Sequence, residues 1–140
     1  MDLLARREHS RQELQQKLVS RGFDDALIDT VIDQLAAENL QSDDRFTEAY
    51  VNERSGKGFG PLYIRQALRS RGIDDHLIAQ YLDPNDPEWT RLAAHVGEQR
   101  FGVIESGDRQ TYAKAVRFLQ QRGFSGEQVR RALQGLDDWD

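Results

Sequence analysis

The chain contains no cysteine, which excludes disulfide staples and thiolate metal clusters and leaves no sign of an oxidising compartment. It has three prolines, Pro61, Pro84 and Pro87, too few for a proline-rich linker. No apolar run approaches the length of a membrane span, and the opening MDLLARREHS meets charge too early for a signal peptide. Basic charge is also in short supply: the net charge is −5, so the overall balance is not that of a basic nucleic-acid module. A soluble, cytoplasmic protein without membrane attachment is the simplest expectation. Catalytic constellations are missing as well. His9, His76 and His95 lack metal-ligand spacing such as H-E-x-x-H, and no nucleophile elbow is present. No enzymatic activity is expected.

What the chain does have is repetition. RGFDDALI at 21–28 returns as RGIDDHLI at 71–78 and, more loosely, as RGFSGEQV at 122–129. Gly22 and Gly72 are 50 positions apart, and Gly72 and Gly123 are 51 apart; a fixed period of this size signals an array of supersecondary units. Before each Arg–Gly pair, apolar residues lie four apart (Leu14 and Leu18, Ile64 and Leu68, Ala115 and Leu119), so each pair stacks on one helix face. Arg suits the negative end of the helix dipole, and Gly suits the left-handed position that closes a helix. Asp24, Asp74 and Ser125 then stand where an N-cap is needed. Each is preceded by an apolar residue (Phe23, Ile73, Phe124) that pairs with Ile28, Ile78 or Val129 as a hydrophobic staple. The repeated stretch therefore encodes a tight corner between two helices.

Hydrophobic residues make up 38% of the 140 and charged residues 31%, a composition lean for one thick core and suited to thin helical layers. Three units of three helices follow, over 1–40, 41–83 and 84–140. In the first, one helix is expected over Leu3–Glu8, a second is capped by Ser10 with Glu13, and a third runs from Asp25 to near Ala37. In the second, Ser42 or Asp43 caps a helix carrying Phe46, Tyr50 and Val51; SGKGFGP breaks it, Pro61 opens the next, and the last covers Asp75 to Leu82. In the third, Asp86–Pro87 starts a helix with a stripe of Trp89, Leu92, Ala93 and Val96, followed by a loop and two helices around Gly123. FGVIE at 101–105 is the one short strand candidate and reads better as a loop.

Paired acids at Asp24–Asp25, Asp43–Asp44, Asp74–Asp75 and Asp137–Asp138 have the form of acid/base pairs, but the first three sit at helix starts, where capping and the dipole favour Asp. The loop GKGFGP at 56–61 is Gly-rich and enters a helix, yet its spacing is not that of a Walker motif and no Ser or Thr follows Lys57. It reads as a flexible inter-helix loop. The helices before each corner are basic. Lys57, Arg65 and Arg69, and secondarily Lys114 and Arg117, are the candidate partner-binding residues: Arg65 and Arg69 lie one turn apart, away from the face set by Ile64, Ala67 and Leu68, as a stripe offered to a polyanion.

RREHSRQEL at 6–14 and DDRFTEAYVNERSGKGFGPLYIRQALRSRGI at 43–73 resemble the RecX regulatory proteins of bacteria, and RLAAHVGEQRFG from Arg91 and FLQQRGF from Phe118 fit the same pattern. The resemblance covers essentially the whole chain. It implies an all-α tandem array of three three-helix units in an elongated, curved arc. It further implies a monomer without a cofactor that binds the RecA recombinase, mainly as its filament on DNA, with weak direct contact to DNA. Filament growth, ATPase, strand exchange and coprotease activity are expected to be inhibited, with consequences for DNA repair and the SOS response. Family members usually extend upstream of the segment matching Leu3–Ser10, so the first helix is expected to be short here. The competing reading is a DNA-binding repressor of helix–turn–helix type, which the negative net charge and the capping explanation of the corner both weigh against.

Overall fold

The computed structural model of the chain describes residues 7–134. Among them are eight α-helices and no strand: α1 Arg11–Ser20, α2 Asp25–Ala37, α3 Asp43–Gly56, α4 Pro61–Ser70, α5 Asp75–Tyr81, α6 Pro87–Phe101, α7 Arg109–Gln121 and α8 Gly126–Gln134. The helix expected over Leu3–Glu8 lies mostly outside the described residues, as does the Asp137–Asp138 pair; Arg7 and Glu8, which are described, are not helical. FGVIE forms the end of α6 and a loop.

The helix starts follow the caps read from the sequence. Ser10 and Glu13 form a complete capping box on α1, and Ser125 with Gln128 forms another on α8, the Ser125 N–H donating to Gln128 Oε1 and the Gln128 N–H to Ser125 Oγ. Asp24 caps α2, and Asp86 caps α6 with Pro87 in the first position. Ser42 rather than Asp43 receives the N–H of Arg45 at the start of α3.

The three corners share one stop. Gly22, Gly72 and Gly123 have φ of +86°, +83° and +100°, and each donates its N–H to the carbonyl three residues back while the following residue reaches five back. Phe23 bonds Leu18 O, Ile73 bonds Leu68 O and Phe124 bonds Leu119 O. This is the double-bonded Schellman closure. Ile73 and Phe124 are buried, as a staple requires, but Phe23 is half-exposed; nothing among the described residues covers the first corner.

The described residues form two compact units, neither continuous in sequence. One takes the chain up to Val51 together with Ala67–Tyr81; the other takes Asn52–Gln66 and the chain from Leu82 on. In the first, α1 packs on α2 around Leu14, Ile28, Ile32 and Leu35, flanked by Leu18 and Val31. Phe46 and Tyr50 are buried in the same unit, their rings 5.6 Å apart. In the second, α6 packs on both α7 and α8, burying Trp89, Ala93, Val96, Ala115, Leu119, Val129 and Leu133. The Trp89 indole donates to Asp83 O at 2.8 Å and Gln128 Nε2 to Pro84 O at 2.7 Å, so buried polar ends are satisfied.

Candidate polyanion-binding surface

The loop after α3 is not slack. Gly58 has φ +87°, its N–H bonds Ser55 O, and Phe59 N–H bonds Arg54 O, the same closure as at the corners. A Cβ on Gly58 would come within 3.1 Å of Val96, so the loop lies against α6. Gly60 N–H donates to Arg122 O at 2.7 Å and Leu62 N–H to Gly123 O at 2.9 Å. The amides at the start of α4 are thus already engaged, which removes the geometry by which a Gly-rich loop cradles phosphate. The expectation of a flexible loop is corrected: it is an ordered helix stop seated on the third corner.

Beside this loop, within the second unit, is an open cleft of about 370 Å³ lined by Gly56, Lys57, Gly58, Leu92, His95, Val96, Gln99, Arg100, Phe118 and Arg122. Its wall carries three fixed cations and a histidine, and no carboxylate. The arginines are held by aromatic faces. Arg122 lies 4.6 Å from the Phe59 ring centre and 5.2 Å from that of Phe118, and Arg100 lies 5.3 Å from Phe118, distances at which a guanidinium is attracted to the ring. Arg122 also donates to Lys57 O at 3.2 Å. Phe59 stacks on Tyr63 at 4.3 Å. Lys57 pairs with Glu53 one turn back, at 3.3 Å, with both side chains exposed, an interaction that competes weakly with a stronger anion. Such a surface attracts anionic oxygens and stacks planar groups; it offers no nucleophile with a base.

Of the five residues singled out from the sequence, only Lys57 lines the cleft. Arg65 lies on α4, half-buried, and makes no ion pair among the described residues. Arg69 is engaged: its Nε and Nη2 donate to Asp75 at 2.6 and 3.2 Å, and this carboxylate raises its pKa. It clamps the second corner rather than standing free. Lys114 and Arg117 are exposed on α7, outside the cleft. Sequence reasoning passed over Arg100, weighed His95 only as a metal ligand and left Arg122 among the corner residues; the usable signal was the interleaving of Arg and Phe at Phe59, Arg100, Phe101, Phe118 and Arg122.

His9 has a structural role. It is buried, its Nδ1 lies 3.1 Å from Arg7 O and its Nε2 lies 3.0 Å from Lys17 Nζ. A lysine only donates, so Nε2 accepts and Nδ1 carries the proton. Burial and the Arg7 and Lys17 charges lower its pKa. Among the described residues no group of acids and histidines is arranged to hold a metal, and no helix is long and apolar enough to cross a membrane.

Comparison with known proteins gives a consistent outcome. Three family models match in order: "RecX, first three-helix domain" at residues 1–35, "RecX, second three-helix domain" at 42–82 and "RecX, third three-helix domain" at 86–133. The regulatory protein RecX of Halorhodospira halophila is 43% identical over 138 residues, covering 99% of this chain and 86% of that protein. Its counterpart in Pseudomonas entomophila is 42% identical over 140 residues, covering 100% and 90%. The crystal structure of RecX from Lactobacillus salivarius superposes with a TM-score of 0.78 at 23% identity, over 97% of this chain and 90% of that one, a likeness of fold.

Proposed function

The chain belongs to the RecX regulatory-protein family, and from that premise we propose that it regulates by binding the RecA recombinase filament on DNA and restraining its activities. The observation that supports this reading is the cleft of Lys57, Arg100 and Arg122 with His95, free of acids in a chain of net charge −5. In an acidic protein, a local cluster of cations needs a use; a filament that presents phosphates and acidic side chains supplies one. Arg stacked on Phe keeps its fork ready to bond carboxylate or phosphate while its hydrophobic face is already covered. Arg65 adds a charge on α4, and Lys114 and Arg117 add two on α7. The role is that of a ligand of the filament, not of an enzyme. The exposed Asp25 and Asp29 of α2, on the helix that follows the first corner, disfavour the repressor reading, in which that helix would face DNA.

The test is charge reversal in the cleft. Lys57→Glu with Arg100→Glu changes two exposed side chains, so helicity and melting stay close to the parent. Binding to RecA filaments assembled on single-stranded DNA is expected to fall at least tenfold, and inhibition of the RecA ATPase to be relieved, because attractions become repulsions. Inhibition by the folded double variant equal to that of the parent removes the cleft from the contact surface.

A further inference from the structure

The cations of the cleft line a concavity, and that geometry suits a ligand smaller than a filament. A space of about 370 Å³ has the size of a small-molecule site. A convex protein or nucleic-acid surface reaches its rim. Its apolar lining of Leu92, Val96 and Phe118 is reached only by a group that enters. The three fixed charges come from three separate segments: Lys57 from the stop after α3, Arg100 from the last turn of α6 and Arg122 from the corner after α7. Basic residues along one helix face read as a solvated stripe. Cations converging on one space from three segments repel one another, and a bound anion relieves that repulsion.

The arginines are positioned before any ligand arrives. Phe118 is set edge-on against Phe101, with ring centres 5.7 Å apart, and both guanidinium groups lie over it. One of the five N–H groups of Arg122 is used, on Lys57 O. Neither Arg100 nor Arg122 makes an ion pair among the described residues. Lys57 is flanked by Gly56 and Gly58, which line the cleft beside it, so no adjacent side chain shields its ammonium. Its partner Glu53 lies outside the lining. A single carboxylate would present one charge and two oxygens in a plane. A chain of linked phosphates presents several charges, with tetrahedral oxygens pointing in several directions, and so matches donors that arrive from three sides.

We propose that the cleft is a binding site for a small polyphosphate, a chain of two or three linked phosphates held by Lys57, Arg100 and Arg122, with His95 and Gln99 as further hydrogen-bonding partners. The site shares the cleft with the filament reading but needs no filament, so the two stand or fall separately. Two sources carry this chemistry, inorganic triphosphate and a nucleoside triphosphate; the second adds a planar base that stacks on a guanidinium face.

Isothermal titration calorimetry of the full chain at fixed ionic strength, without divalent metal, tests this with inorganic triphosphate, adenosine triphosphate and orthophosphate as probes. One triphosphate per chain is expected, bound about tenfold or more tightly than orthophosphate. Tighter binding of adenosine triphosphate than of inorganic triphosphate identifies the nucleotide as the source; equal or weaker binding identifies the bare phosphate chain. Lys57→Gln with Arg100→Gln, both exposed, is expected to weaken triphosphate binding about tenfold. Lys114→Gln with Arg117→Gln removes the same charge from exposed positions outside the cleft and is expected to change it by less than about twofold. Glu53→Gln releases Lys57 and is expected to tighten binding by about twofold. Melting curves check that each variant is folded, and Lys57→Gln alone replaces the cleft pair if the pair is not. No binding at millimolar triphosphate overturns the proposal. So do equal losses in the two double variants, which mark attraction to overall charge, and orthophosphate bound as tightly as triphosphate, which marks an adventitious anion.

Discussion

Placing alanine at the three corner glycines in turn separates backbone strain from packing. All three have φ between +83° and +100°, so each substitution incurs the left-handed strain of a residue with a Cβ, about 1–2 kcal/mol. At Gly22 the Cβ meets nothing within 4 Å, and strain is the whole cost. At Gly72 it meets the Gln12 side chain, 2.5 Å from Oε1 and 2.9 Å from Cβ; that side chain swings away and gives up its bond to Ser70 O, adding about 1 kcal/mol. At Gly123 it meets backbone, 2.5 Å from Tyr63 N and 2.9 Å from Tyr63 Cα. Nothing there is flexible: the start of α4 must shift and its amide bonds to Arg122 O and Gly123 O are strained. Overpacking adds about 1–3 kcal/mol and loss of one bond about 1 more, for a total of about 3–6 kcal/mol. Urea unfolding followed by circular dichroism measures each cost. The expected order is Gly22→Ala least, Gly72→Ala intermediate, Gly123→Ala greatest. Equal losses at Gly22 and Gly123 would refute the claim that the third corner is seated on α4 while the first, among the described residues, receives no helix start.

Further predictions follow from particular contacts. Ser10→Ala removes a helix cap and the bond to Arg71 O, about 2 kcal/mol together, whereas Ser125→Ala removes only a cap, about 1 kcal/mol, by the same urea assay. The Tyr81 hydroxyl donates to Asp44, which pushes its pKa up to about 12; ultraviolet titration should find Tyr81 ionising late and moved back towards about 10 by Asp44→Asn. The folded state holds that proton more tightly than the unfolded, so the associated preference for folding is complete below about pH 10 and is lost as pH rises through about 12. His9 is the opposite case: the fold favours its neutral form, the unfolded chain binds the proton more readily, and stability declines as pH falls below about 6.5. His9→Gln should flatten that first part of the decline. Glu13, held below its ordinary range chiefly by its bond from Arg7 against the effect of burial, adds a further loss at lower pH.

The corners were legible because each is a local object. Glycine, cap and closing bonds all lie within a few residues, and the Schellman bonds at Gly22, Gly72 and Gly123 need nothing from elsewhere in the chain. Burial was not legible. Phe23 and Phe124 occupy the same place in the repeat, yet one is 49% exposed and the other 2%, because the third corner has a helix start bonded to it, through contacts some 60 positions away in sequence, and the first has none among the described residues. The same holds for the candidate surface. Helical spacing showed that Arg65 and Arg69 leave the apolar face, but the claim of Asp75 on Arg69 depends on how the corner folds the two helices together. Arg100 and Arg122 meet over Phe118 only once α6 and α7 are packed, and no spacing rule within one helix reveals that.

The central claim is that this acidic helical protein acts on the RecA filament, and the RecA ATPase measured on single-stranded DNA with increasing amounts of the full chain tests it most directly. The account predicts a rate that falls as the protein is added, an effect weakened by added salt and largely lost with Lys57→Glu and Arg100→Glu. An ATPase rate that stays unchanged at saturating amounts of folded protein, at low as well as moderate salt, contradicts it.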